Sequence, residues 1–199
     1  MRENTIITIS RQYGSGGRYI AKMLAKELDI PIYDKQIIAM TAENFGFSKD
    51  FVAHYEEKPI NRFYYAFSLG GDFNSGLSMN DKIFIEQSNI IKEIAAQGPC
   101  VIVGRCADYV LRENPNLVKI FIHTDMEHRI ARAVKYYGLS EDEAVKAIKK
   151  SDKQRKQYHL DYAGVQWDSM DQYHLSLDSD KIGPDQAVKV IHSYIDALE

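Results

Sequence analysis

The stretch Ile6-Ile7-Thr8-Ile9-Ser10-Arg11-Gln12-Tyr13-Gly14-Ser15-Gly16-Gly17-Arg18-Tyr19-Ile20-Ala21 decides how this chain is read. Ile6 to Ile9 are β-branched, as in a strand buried within a parallel sheet. Three glycines at 14, 16 and 17 follow, and glycine adopts positive φ freely, so successive amides can turn toward one point. Ile20, Ala21, Met23, Leu24, Ala25 and Leu28 then recur at helical spacing. A helix beginning there aims the positive end of its dipole at that point, and an anion belongs on it. The plainer alternative is a tight strand-to-helix turn. Position favours the anion, because the cluster follows the first strand and opens the first helix.

Two phosphate-binding patterns bear on the loop. A dinucleotide fingerprint needs Gly or Ala at position 19, where this chain has Tyr19. The P-loop pattern G-x-x-x-x-G-K-[ST] fits in shape when Gly16 is its second glycine. Arg11 then replaces the first glycine, Gly17 the lysine and Arg18 the magnesium-binding hydroxyl. Arg18 is the nearest cation, and its planar fork of donors suits it to take the missing lysine's part on a phosphate.

The chain's 199 residues suit one domain, or one domain with an inserted flap, and such a chain buries about 70% of its unfolded surface. Twenty-five basic and 28 acidic residues leave a net charge of −3, so no global basic field favours nucleic acid or an anionic membrane. The only cysteines, Cys100 and Cys106, form no C-x-x-C, and no histidines stand at metal spacing. This argues for reduced thiols and against a disulfide frame or a zinc site. No apolar run approaches the ~20 residues of a spanning helix. The expectation is a soluble cytoplasmic protein, with no protein-bound metal, membrane or nucleic-acid partner.

Strands are expected near residues 6, 32, 101, 118 and 174, in a repeated strand-helix order. Right-handed crossovers make this an α/β three-layer sandwich around a five-stranded parallel sheet. Asp34 falls at the carboxyl end of the second strand, where ligands gather. It is equally placed as the N-cap of the helix through Gln36, Ile37, Ile38 and Met40. Ser48 caps a helix over 48 to 57. The segment 61 to 79 interleaves Phe63, Tyr64, Tyr65, Phe67 and Phe73 with glycines and reads as a flap or a homodimer contact. A helix carrying Ile83, Ile90, Ile91 and Ile94 stops at Gln97-Gly98-Pro99. Arg105 follows the strand Cys100 to Val103, on the same rim as Gly14 to Arg18. It reads as an anion ligand, with pairing to Asp108 as the alternative. Arg129 and Arg132 share one face of a helix capped by Thr124 or Asp125. On a solvated helix such a pair is ordinary surface charge. A second charged helix, 140 to 157, carries Asp152 and Arg155 and completes a hairpin able to swing over a ligand. Tyr158 to Trp167 reads as aromatic and irregular, Tyr173 to Leu177 as the last strand, and Gly183 to Leu198 as a closing amphipathic helix.

Taken together, Ser10 to Ala21, Tyr33-Asp34, Val103-Gly104-Arg105, Arg129 with Arg132 and Asp152-Lys153-Gln154-Arg155 resemble the cytidylate kinase-like branch of the nucleoside monophosphate kinases. The resemblance spans nearly the whole chain, and its sharpest piece is Tyr13-Gly14-Ser15-Gly16-Gly17-Arg18, a G-S-G-G-R variant typical of that branch. It implies a single P-loop kinase-like domain over 1–199, with a flap within about 35–80 and a lid within about 129–165. It implies ATP with Mg²⁺ as cofactors and a nucleoside monophosphate as acceptor. Tyr13, Gly14, Ser15, Gly16, Gly17, Arg18 and Tyr19 would hold the donor phosphates. Asp34, Arg105, Asp152 and Arg155 would meet the acceptor, and Arg18, Arg105, Arg129, Arg132 and Arg155 would neutralise the transferring phosphoryl. Mg²⁺ would rest on phosphate oxygens and water, since no Walker hydroxyl remains. Met40 and Cys106 depart from cytidylate kinases, which carry an arginine and an aspartate there. Two other readings stay open: a nucleotide- or anion-binding regulatory module without transfer chemistry, and a small-metabolite kinase of the same fold.

Overall fold

Alternation along the central strands sets the layers. In the computed structural model, which describes residues 4–56 and 77–198, β1 (Ile6–Arg11) sends Ile7 and Ile9 to one face of the sheet and Ile6 to the other. In β3 (Cys100–Val103), Val101 and Val103 join the first set and Cys100 and Ile102 the second. Both faces are therefore apolar, as a parallel sheet covered on both sides requires. β2 (Ile32–Tyr33), β4 (Leu117–His123) and β5 (Leu175–Asp178) complete the sheet, in the order β2-β3-β1-β4-β5. Every neighbouring pair is parallel. The five-stranded parallel sheet expected from the sequence is thus present.

Helix α1 (Gly17–Glu27) packs Ile20, Ala21 and Leu24 against the first face. On the second face lie α2 (Lys35–Phe45), whose core residue is Ile37, and, after α3 (Lys49–Glu56), α4 (Met79–Ala96), which contributes Ile90, Ile91 and Ile94. A short α5 (Ala107–Val110) follows β3. After β4, α6 (Met126–Tyr137) and α7 (Glu141–Ala163) form the hairpin, capped by Asp125 and by a Ser140/Glu143 capping box. The chain closes with α8 (Ser179–Asp196), which packs Val188, Ile191 and Ile195 on the first face beside α1. No helix among the described residues is long and apolar enough to cross a membrane.

Three boundaries differ from the sequence reading. Helix α7 runs on to Ala163, so Tyr158 and Tyr162 are helical. Their side chains pack on α4, where Phe84 stacks on Tyr162 with ring centroids 3.8 Å apart and Tyr158 donates to Gln87 at 3.2 Å. Aromatic packing against a neighbour, invisible in local periodicity, extends the helix. β5 begins at Leu175, because Tyr173 turns away to donate its hydroxyl to the Trp167 carbonyl at 2.7 Å. α8 starts at Ser179, with a break at Gly183 (φ 72°, ψ 160°) before Pro184 restarts it. The segment 61 to 79, with its expected homodimer contact, falls outside the described residues except for Leu77–Met79.

A buried ion pair ties the far end of the hairpin to the core. His159 Nε2 lies 2.9 Å from Asp108 on α5, and both side chains are almost fully buried. The other ring nitrogen meets the Val165 carbonyl at 3.2 Å. Two acceptors require two donors, so the imidazole is the cation. Burial opposes that charge, but Asp108 outweighs it and raises the His159 pKa above its ordinary value. A raised folded-state pKa stabilises fully below the unfolded value of about 6.5 and fades as pH climbs through the folded one. Urea titrations from pH 6 to 9 should therefore show the wild type losing stability relative to His159→Gln as pH rises above about 6.5. A constant difference would contradict the pairing.

Candidate functional site

The glycine loop is built by close approach. Gly14 and Gly16 take positive φ (80° and 77°), a conformation costly to other residues. A side-chain carbon on Gly14 would stand 2.7 Å from the Arg129 carbonyl oxygen, and one on Gly16 2.8 Å from the Arg132 guanidinium. Helix α6 therefore lies directly against the loop. Ser15 turns inward: it is 1% exposed, and its hydroxyl donates to the Gln12 carbonyl at 2.9 Å. Behind it, Ser179 at the start of α8 donates to the Ser15 carbonyl at 2.6 Å. The amides of Gly14, Gly16 and Arg18 carry no hydrogen bond to any described residue. Orphan amides at a helix start, in a loop that admits no Cβ, are the donor set a phosphate takes.

Asp152 on α7 clamps the hairpin to this loop. It accepts from the Tyr13 amide at 2.9 Å and pairs with Arg129, whose Nε donates to the Tyr13 carbonyl at 2.7 Å. Arg155, one turn on, donates to the Arg11 carbonyl at 3.0 Å and lies 3.4 Å from Asp152. Arg129 and Arg132, expected on one face, both meet the loop, on different sides of it. Arg129 is 5% exposed and faces the back of the loop, while Arg132 lies over Gly16 and packs on the Tyr136 ring, 5.0 Å from its centroid.

Several cavities surround this centre: Asp34 lines one with Arg18 and Lys22 (about 580 Å³), Arg129 and Asp152 line another (about 400 Å³), and two share Arg11 and Arg155. One of these two, of about 690 Å³, runs along the loop from Tyr13 and Gly14 past Lys22 and Arg132 to Tyr137 and Pro184. The other, of about 300 Å³, reaches from Ser10 and Arg105 to Gln154, Tyr158 and Trp167. They share Arg11, Arg18, Ser151 and Arg155. A dense positive seam thus divides the two spaces. Burial, followed by the facing Arg155, pushes Arg11 from 12.5 down to about 9, and burial likewise lowers Arg155. Both remain cations at neutral pH.

Tyr13, Gly14, Gly16, Gly17, Arg18, Tyr19, Arg132 and Arg155 line the larger cavity, and Arg18, Arg105 and Arg155 the smaller. Ser15, Asp34, Arg129 and Asp152 line neither. Asp34 stands at the N-cap of α2, yet its carboxylate makes no cap hydrogen bond. It grips Arg18 instead, at 2.5 Å to Nε and 3.3 Å to a terminal nitrogen. Asp108 is held by His159, and Arg105 stands in a turn in which Gly104, Arg105 and Cys106 all have positive φ (77°, 60° and 51°). A non-glycine residue in that region costs on the order of 1 kcal/mol or more, and such cost collects at functional sites. Burial, first, and Asp108 push the Cys106 thiol well up, so it is an inert wall and no nucleophile.

Sequence reasoning passed over Arg11 and Lys22. Lys22 lies one helical turn beyond Arg18, a spacing that would have found it. Among the described residues, the groups nearest the loop are already engaged with one another. Position 18 carries a guanidinium, and the nearby carboxylates Asp34 and Asp152 are held by Arg18 and Arg129. Elsewhere Asp125, His128 and Asp180 come together, but each ring nitrogen already faces a carboxylate, at 2.8 and 3.0 Å.

The sequence pattern that defines the cytidylate kinase-like family matches residues 6–181. Cytidylate kinase of Pyrococcus horikoshii is 24% identical over 199 residues, covering 100% of this chain and 92% of that one. An uncharacterized protein from Eubacterium ventriosum is similar in structure, with a TM-score of 0.74 and 30% identity over 96% of this chain and 98% of that one. Shikimate kinase from Bacteroides thetaiotaomicron shares the fold, with a TM-score of 0.55 and 14% identity over 96% and 98% of the two chains.

Because Asp152 holds the Tyr13 amide and two guanidiniums at once, Asp152→Ala should cost more than one contact. Breaking a mostly buried pair costs about 3–5 kcal/mol. A loss of that size in urea unfolding is expected, against less than about 1 kcal/mol if the clamp were an ordinary surface pair.

Proposed function

The chain belongs to the cytidylate kinase-like family, and on that premise we propose that it is an ATP-dependent phosphotransferase acting on a nucleoside monophosphate of the CMP or dCMP kind. The kinase fold and the family's relatives support the phosphotransferase. The observation that carries the reading is the seam: among the described residues, two cavities of about 690 and 300 Å³ meet across Arg11, Arg18, Ser151 and Arg155. In-line phosphoryl transfer needs this arrangement, with a donor on one side, an acceptor on the other and positive charge where they touch.

In this reading the larger cavity takes the donor. The free amides of Gly14, Gly16 and Arg18 receive phosphate oxygens, and Arg132 closes over them from α6. The nucleoside end lies toward Tyr137 and Pro184. The smaller cavity takes the acceptor, whose phosphate meets Arg105. Arg155 and Arg18 face both sides and offset the negative charge that gathers as the phosphoryl passes. The hairpin acts as a lid over 129–165, fastened by Asp152 and Arg129, and its closure excludes water. Arg129 then serves transfer by holding the loop, without touching the phosphoryl. Magnesium, where present, enters with the nucleotide, and the residues here perform their roles without supplying it a ligand.

A second reading, a small-metabolite kinase with a hydroxyl acceptor, draws on the acceptor-side cavity being less than half the volume of the donor side. An ADP-release assay across nucleoside monophosphates and small alcohols separates them. Turnover with CMP or dCMP above all others is expected. Turnover with an alcohol alone would favour the second reading, and tight ATP binding without turnover on any acceptor would make the protein a sensor. With the accepted substrate, Arg105→Ala should raise the acceptor KM by about tenfold or more while ATP affinity holds, since only a contact on the acceptor side is removed.

A further inference from the structure

The P-loop pattern has a glycine at the position of Arg11 and a lysine at that of Gly17. Here the two residue types are exchanged, and the structure supplies the physical reason. Gly17 begins α1 without positive φ, so its backbone does not call for glycine. Space does: a side-chain carbon there would stand 2.6 Å from the Arg11 Cβ. At the far end of the same side chain, a carbon on Gly104 would strike the Arg11 guanidinium. Two glycines thus clear a slot in which Arg11 lies across the mouth of the central strand.

The charge delivered through that slot is unspent. Arg18 is held by both oxygens of Asp34, Arg129 is paired with Asp152, and Arg155 lies beside Asp152. Arg11 lines both cavities and forms no ion pair with a carboxylate among the described residues. A half-buried guanidinium facing other guanidiniums calls for an anion. We propose that Arg11 is a phosphate-binding cation of this site, reaching the donor's terminal phosphates from the strand side in place of the lysine of α1, and that Gly17 is glycine to admit it. The proposal rests on the phosphotransferase reading for the identity of the donor. Its ligand class is a polyphosphate.

Calorimetric titration of the full chain with ATP, AMP and inorganic tripolyphosphate tests it. Arg11→Ala should weaken ATP and tripolyphosphate by about tenfold or more, the usual scale for losing a charge-assisted contact, and leave AMP within about twofold. Gly17→Lys alone should also weaken both, because its stem meets Arg11. The double variant Arg11→Gly/Gly17→Lys restores the P-loop arrangement and should recover ATP affinity to within about threefold of native. Native-like ATP affinity in Arg11→Ala, or a double variant no tighter than the weaker single, overturns the proposal. Should the variants fail to fold, the Arg11 Nε–H resonance of the native chain decides: it should shift on adding tripolyphosphate, and an unmoved signal overturns the proposal. A native chain that binds tripolyphosphate through Arg11 but not ATP would sink the kinase reading and leave this one standing.

Discussion

The carboxylate of Asp152 is the point on which the site turns. It is on the hairpin, yet its partners are the Tyr13 amide of the glycine loop and the guanidinium of Arg129 from the facing helix, with Arg155 3.4 Å away. One negative group thereby fixes three elements: the loop after β1, helix α6 and helix α7. Without it the hairpin would be held to the loop chiefly by the Arg129 bond to the Tyr13 carbonyl and the Arg155 bond to the Arg11 carbonyl. Such a hub matters because phosphoryl transfer is catalysed by positioning and charge, and an error of an ångström in the donors is costly.

Positive charge is gathered at a cost in folding. Arg11 and Arg155 face one another in a half-buried space, and each is made a weaker cation by burial. Asp34 and Asp152 offset part of the repulsion from opposite sides of the seam. The remainder lowers the stability of the fold, a common trade between stability and function. The left-handed turn at Gly104, Arg105 and Cys106 belongs to the same account, since its backbone is held in a costly conformation directly beside the seam.

The glycine loop, the strand pattern and the two-faced core were legible in the sequence because each rests on local chemistry. β-Branched runs make buried strands, clustered glycines permit positive φ, and Asp125 and Ser140 announce helix starts. Arg18 and Asp34 were legible as residues of the rim, but not as partners of each other. Arg129 and Arg132 lie three apart on one helix, and spacing alone could not show that one faces behind the loop and the other over it. Arg11 was visible only as a departure from a pattern. Its meaning depends on Gly17 and Gly104, the latter 93 positions away in the chain, both keeping clear of its path.

By itself, then, the sequence determined a five-stranded parallel α/β fold and a glycine loop between its first strand and first helix, since periodicity, glycine placement and capping act over a few residues. Only the tertiary structure decided which arginines face that loop and which hold it together. Ion pairs form between side chains that separate elements bring within about 4 Å, and with many carboxylates and guanidiniums near one rim, geometry alone chooses among the pairings.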